Sequence, residues 1–297
     1  MTVSSYPPAS PPAFGSAPGH VLPGLIGVVH LRPLPGSPRF AGDISAVAAA
    51  CGRDAEVLAD AGFEGVMIEN YGDAPFEPNA VAPVTVAALT RCALAARVAA
   101  PMLPLGVNVL RNDAEAALSV AVAAGAAFIR VNVHTGARLT DQGLIAGVAH
   151  RTLRLRQALG ATTVKLLCDV DVKHSAPLAP RPLGEEAHDL VDRGGADAVL
   201  VTGSGTGREA SLRDLDEVLR AVTAPVYVAS GVSETTLGSL ERAHGLIVGS
   251  CLRADGKAGG PIDALLARRF AFAYRAMRAA QAERRVESVP PPQVTGV

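Results

Sequence analysis

Tryptophan is absent from this 297-residue chain, and aromatics make up only 4% of it. Any core must therefore be aliphatic, and the stacking platforms of single-strand or RNA binders are missing. A surplus of charge of one sign is also lacking. The 27 Lys and Arg stand against 28 Asp and Glu, a formal −1, which gives no electrostatic reason to expect a nucleic-acid polymer as partner. Cysteine is sparse: Cys51, Cys92, Cys168 and Cys251 show no CxxC or Cys/His zinc spacing. A structural zinc is not expected, and isolated thiols fit a reducing, cytoplasmic compartment. The sequence also lacks a run of about 18 uninterrupted apolar residues. The nearest, AVAAGAAFIRV at 121–131, is broken by Gly125 and Arg130, so no membrane span is expected. The N-terminal stretch has neither the basic start nor the apolar centre of a signal peptide, and its Pro/Ser/Ala/Gly content reads as a flexible tail.

What the chain does have is 49% hydrophobic residues, gathered into eight short apolar runs. They are LIGVVHL (25–31), GVMIEN (65–70), PLGVNVL (104–110), AFIRVNV (127–133), TVKLLCDV (163–170), AVLVTGS (198–204), VYVAS (226–230) and LIVGS (246–250). Their length and β-branched content suit parallel strands buried on both faces. Helix-like Ala/Leu-rich segments separate them, and AGF, AGA and GGAD turns read as glycine caps before the next strand. Eight βα units in a chain of this length indicate a (β/α)8 TIM barrel. A doubly wound open sheet competes, but HLRPLPGSPRF follows the first strand where a dinucleotide turn would stand. The barrel is expected over 23–280, with flexible tails at 1–22 and 281–297.

Barrel chemistry sits at the C-terminal ends of the strands. The first five ends carry ionisable and amide groups: His30 and Arg32; Glu69, Asn70 and Asp73; Asn108, Arg111, Asn112 and Asp113; Arg130, Asn132 and His134; Asp169, Asp171, Lys173 and His174. The last three carry Thr202, Gly203, Ser204, Gly205, Thr206 and Gly207, then Ser230 and Gly231, then Gly249 and Ser250. Glycine turns and hydroxyls expose donors, and three such loops in succession read as a phosphate cradle, although each alone also makes an ordinary tight turn. Asp43 and Asp113 read as helix N-caps. A carboxylate at Glu69 needs a partner if buried, and Arg130 is the expected one, in a pair that would serve structure as well as chemistry. Asp169, Asp171 and Lys173 share one face if the chain stays extended. There the ammonium could donate a proton or orient an oxyanion. Lys165 is a Schiff-base candidate if desolvated, or else a surface residue. The two aspartates are not separable by sequence.

GVVHLRPLPGSPRF, GVMIENYGDAPF, GVNVLRNDAEAAL, FIRVNVHTGARLTDQGLI, DVDVKHSAPL, ADAVLVTGSGTG and LIVGSCLRADG follow one another in order. Together they resemble the BtpA/SgcQ family over residues 24–275. The resemblance implies a TIM barrel related to ribulose-phosphate-binding barrels. It places site residues at His30, Glu69, Asn70, Asp73, Asn108, Arg111, Asn112, Arg130, Asn132, Asp169, Lys173 and His174, with the Gly203–Gly207 turn, Ser230 and Ser250. Cys251 stands where a small hydroxyl residue would be equally natural. The family's name comes from photosystem I accumulation in cyanobacteria, while other members sit in apparent sugar-metabolism operons.

Three readings follow. The favoured one is an enzyme using acid–base chemistry (isomerase, lyase or glycosidic-bond) on a phosphorylated sugar or nucleotide-like metabolite. The others are a non-catalytic assembly factor and a metal-dependent hydrolase using Glu69, Asp171 and His174. No cofactor is required by any motif, a divalent metal is left open, and so is a homo-oligomer.

Overall fold

The computed structural model describes residues 22–203 and 211–287; the expected tails fall largely outside them, as do Ser204, Gly205, Thr206 and Gly207. The first half of the chain runs β1 (Leu25–His30), α1 (Ile44–Ala61), β2 (Gly65–Glu69), α2 (Pro83–Ala99), β3 (Leu105–Asn108), α3 (Ala114–Ala124) and β4 (Phe128–Val131). A hairpin of β5 (Ala137–Thr140) and β6 (Gly143–Ala146) precedes α4 (Ala149–Ala158). Then come β7 (Lys165–Asp169), β8 (Ser175–Pro177), α5 (Leu183–Asp192), β9 (Ala198–Val201), α6 (Leu212–Ala221), β10 (Val226–Val228), β11 (Gly245–Val248) and α7 (Ala264–Glu287).

The eight strands expected from the apolar runs close into a parallel barrel, in the order β1-β11-β10-β9-β7-β4-β3-β2. Helix boundaries follow the local chemistry. Asp43 and Asp113 cap α1 and α3 by accepting from the Ala46 and Ala116 amides at 3.0 and 2.8 Å, while Gly62 and Gly125 take the left-handed conformation at the other ends. Among the described residues no helix is long and apolar enough to cross a membrane.

The strands differ from expectation in three places. A helix was expected in every unit, but between β10 and β11 only a 3-10 turn, Leu237–Leu240, forms; SGVSETTLGSLERAHG offers few apolar positions to dock one. A three-stranded antiparallel sheet, β6-β5-β8, stands over the rim beside β4 and β7. Its strands are short and half-exposed, so they leave no apolar run to read. Finally, α7 extends to Glu287, past the barrel boundary expected at 280.

Alternation along each strand sorts side chains into two layers. Ile26, Val28, Met67, Phe128, Leu167, Leu200, Tyr227 and Ile247 point inward and fill the barrel. Val29, Ile68, Val107, Ile129, Cys168, Val199 and Leu246 point outward to the helices. With so few aromatics, two carry much of the interior, and glycines make room for them. A methyl built on Gly106 would sit 2.0 Å from the Phe128 ring, and one on Gly245 would sit 2.1 Å from Tyr227. The same alternation, continued upward, turns His30, Glu69, Asn108, Arg130 and Asp169 into the barrel mouth.

Gly106→Ala is therefore expected to destabilise the fold by roughly 1–3 kcal/mol through overpacking. Phe128→Leu in the same chain should recover much of the loss. Denaturant titration of the single and double variants checks this; a neutral Gly106→Ala would contradict the Phe128 packing.

Candidate functional site

One layer of inward side chains crosses β2, β3 and β4 in register: Glu69 pairs with Asn108, and Asn108 with Arg130. Asn108 thus stands between Glu69 and Arg130. Its Nδ2 donates to Glu69 Oε2 at 2.9 Å. Arg130 turns the other way and makes a two-pronged pair with Asp169: Nε to Oδ2 at 3.0 Å and Nη2 to Oδ1 at 2.9 Å. Asn132 Nδ2 adds a third donor to Asp169 Oδ2 at 2.9 Å. The expected Glu69–Arg130 pair is corrected accordingly: Arg130 belongs to Asp169. Burial works against the Arg130 charge, but the Asp169 carboxylate and its hydrogen bonds outweigh it and raise the Arg130 pKa.

His30 faces Glu69, with Nε2 3.8 Å from Oε1. Its Nδ1 accepts from the Gly259 amide at 3.0 Å, so the neutral ring carries its hydrogen on Nε2, on the Glu69 side. Burial, then the positive fields of Arg253, Lys173 and Arg130, push its pKa well below the usual value. The ring also packs on Tyr71, with centroids 4.7 Å apart.

The strand read over 163–170 stops at Asp169, and the chain does not stay extended beyond it. Beyond it Val172 dives into a small apolar cluster with Val133 and Ile145 under the antiparallel sheet. The alternation breaks there, and with it the expectation that Asp169, Asp171 and Lys173 share a face. The Asp171 side chain is 51% exposed and pairs with Arg138 at 3.1 Å. His174 is also exposed, at φ 58°. Lys173 returns to the mouth. Arg111 Nη2 pins its carbonyl at 2.7 Å. Burial, with help from Arg130, lowers the Lys173 pKa, although Glu69 and Asp169 pull it upward. Lys165 is ruled out of the mouth: it starts β7 at the opposite end and pairs with Asp197 at 3.2 Å.

His30, Glu69, Arg130 and Lys173 line a cavity of about 260 Å3, and Ser230, Gly231, Ser233, Gly249, Ser250 and Cys251 line it from the loops after β10 and β11. The remaining expected residues hold loops. Asn70 accepts from the Leu110 amide at 2.7 Å and donates to Asp73 at 3.1 Å, while Asp73 accepts from the Leu34 amide at 2.7 Å. Asn112 clamps Val133 through both its amide, at 2.8 Å, and its carbonyl, at 2.9 Å. Thr202, beside Gly203, donates to the Asp171 carbonyl at 2.6 Å. A second cavity, of about 240 Å3, lies behind Asn132 and Asp169 against Arg138, Arg181 and Glu186.

Arg253 was missed by sequence reading. It is buried and donates to the Gly249 and Val28 carbonyls, bracing the eighth loop and adding positive charge behind it. Its position four residues past Gly249 gave little signal. The Glu69, Asp171 and His174 metal set is not brought together, and no group of three or more His, Cys, Asp or Glu among the described residues is placed to hold an ion.

These features define a (β/α)8 barrel with a polar cavity at its C-terminal mouth. The chain belongs to the BtpA family, whose model matches residues 23–276. It is 44% identical over 243 residues to the photosystem I biogenesis protein BtpA of Synechocystis, covering 80% of this chain and 83% of that one. An uncharacterized protein of Pyrococcus furiosus is 43% identical over 243 residues, 80% of this chain and 90% of its own. Among solved structures, phosphoribosyl anthranilate isomerase from Thermus thermophilus aligns with a TM-score of 0.51 at 14% identity, over 86% of this chain and 99% of that one. N-acetylneuraminic acid synthetase from Leptospira borgpetersenii aligns with a TM-score of 0.55 at 10% identity, over 92% and 88%. At such identities the likeness is one of fold.

The two aspartates are now separable. Arg130 and Asp169 side chains are 3% and 0% exposed, so Asp169→Asn strands a buried guanidinium and is expected to cost about 3–5 kcal/mol. Asp171→Asn should cost about 1 kcal/mol or less. Chemical denaturation of both variants checks this, and equal losses would contradict the pairing.

Proposed function

We propose that this protein is an enzyme that moves protons next to the carbonyl of a phosphorylated sugar-like metabolite. The observation that carries the reading is the division of the cavity into two walls. One wall holds Glu69, His30, Arg130 and Lys173; the other holds the Ser230–Gly231 and Gly249–Ser250 turns. Backbone amides and hydroxyls at such turns suit a phosphate dianion, and loops after the last two strands of a barrel are a recurrent place for one. Arg253 adds positive charge behind it.

In this reading Glu69 is the general base, held in place by Asn108. His30 acts as a neutral Nε2–H donor that polarises the carbonyl, since a ring kept neutral donates without giving up a full proton. Asp169 touches no substrate in this account; it holds Arg130 charged and oriented. Asn108 Oδ1 and Asn132 Oδ1 are buried and accept no hydrogen bond among the described residues, an arrangement that hydroxyl groups of a sugar would satisfy. The unpaired cysteines suit a cytoplasmic setting.

The name of the Synechocystis relative raises an assembly role as the alternative. That role leaves the paired walls of the cavity without a use. The enzyme reading accounts for more of the residues.

Thermal melting with phosphate, ribose 5-phosphate and dihydroxyacetone phosphate tests the proposal, because a ligand bound by the native state raises the midpoint by mass action. At least one sugar phosphate should stabilise the wild type. Ser250→Asp, which sets a carboxylate in the cradle, should weaken that ligand by about tenfold or more, the scale of one repulsive charge at about 1.4 kcal/mol, with the unliganded midpoint little changed. Unaltered affinity in Ser250→Asp would overturn the cradle.

A further inference from the structure

Resting on the carbonyl-and-phosphate reading above, we infer that Lys173 is a nucleophilic amine that forms a Schiff base with the carbonyl of a phosphorylated aldose or ketose in the mouth cavity. Only three of the 27 Lys and Arg residues are lysines: Lys165, Lys173 and Lys257. Almost everywhere else this chain meets a need for positive charge with arginine. Lys165 is half-buried in an ion pair with Asp197 at the far end of the barrel, and Lys257 is exposed. Lys173 alone of the three lines the cavity.

Its surroundings do not suit a resident ammonium. No described side chain forms an ion pair or hydrogen bond with Nζ. The neighbouring Arg130 guanidinium already has both its prongs on Asp169, and Arg111 lies on the other side, bonded to the Lys173 carbonyl. Arginine at 173 would place a third permanent cation there, since a guanidinium does not lose its proton in a protein. An amine can, and burial favours that form. The clamp from Arg111 and the hydrogen bond from Ser175 Oγ to the Val172 carbonyl at 2.5 Å fix the backbone that aims the side chain. A neutral amine beside Glu69 and a neutral Nε2–H of His30 is the set that imine chemistry requires.

The step balances without any redox partner. The Nζ lone pair adds to the carbonyl carbon, forming a C–N bond and moving the C–O π electrons onto oxygen, which takes a proton from solvent. The nitrogen gives up one proton through Glu69. Glu69 returns that proton to the hydroxyl, the C–O bond breaks to release water, and the nitrogen lone pair closes an iminium, C=N, linked to Lys173. Glu69 can then remove a proton from the adjacent carbon, with the iminium as electron sink, and hydrolysis reverses the linkage.

The full chain is incubated with dihydroxyacetone phosphate, ribose 5-phosphate or glyceraldehyde 3-phosphate, reduced with sodium borohydride, and read by intact-mass and peptide mass spectrometry. The expected product is one stable adduct per chain, the mass of the sugar phosphate less water plus two hydrogens, on the peptide carrying Lys173. In Lys173→Arg, which keeps a cation, the adduct should fall at least tenfold; in Lys165→Arg it should persist. Peptide mapping of the wild type decides the site even where a variant folds poorly. Thermal melting with the same sugar phosphates separates the two layers of the claim. Stabilisation without an adduct, or an adduct spread over Lys257 and the N-terminus, overturns the Schiff base and leaves the phosphate site standing. Absence of both stabilisation and adduct overturns both.

Discussion

The mouth of this barrel is organised by one buried ion pair. Arg130 rises from β4 and Asp169 from β7, adjacent strands, and their two parallel hydrogen bonds close across the top of the barrel interior. Taking both charges out of water is costly, and the cost is met only because the geometry is two-pronged and Asn132 satisfies Asp169 further. The pair also decides what its neighbours can do. Because Arg130 is committed to Asp169, Glu69 is left with Asn108 and the edge of His30, so its carboxylate faces the cavity. Because Arg130 keeps its charge, a second cation at Lys173 is disfavoured.

Backbone clamps convert that electrostatic arrangement into a shaped site. Asn70, Asn112 and Arg111 were expected to meet a ligand, and Arg253, unforeseen, is of the same polar type. Their hydrogen bonds instead go chiefly to main-chain groups, in the loops after β3, β4, β7 and β11 and at Val28 within β1. Polar side chains of this kind replace the packing that a loop cannot supply, and they leave the groups that do face the cavity with little freedom to reorient. The antiparallel sheet serves the same end. Its strand β8 pairs with β5, which ties down the segment that follows Asp169 and returns Lys173 to the mouth.

Much of the frame was legible in the sequence for a physical reason. Parallel strands buried on both faces must be apolar along their whole length, so all eight announced themselves, and period-two alternation then turned His30, Glu69, Asn108, Arg130 and Asp169 inward. The pairings were less legible. Composition offered Glu69 and Arg130 as opposite charges, but register inserts Asn108 between them, and register follows from barrel closure, which no local pattern encodes. Asp171 was misplaced because alternation holds only while a strand lasts, and β7 ends one residue before Val170. The β6-β5-β8 sheet stayed hidden because its strands cover a rim and need no apolar run. The glycine turn at 203–207 reaches beyond the described residues after Gly203, so its part in the cradle rests on the sequence alone.

A structure of the protein with ribose 5-phosphate bound would test the account most directly. The phosphate should lie against the Ser230–Gly231 and Gly249–Ser250 turns, with the sugar carbons toward Glu69 and Lys173. Density for the sugar phosphate in the cavity behind Asn132 and Arg138, or at the opposite face of the barrel, would contradict it.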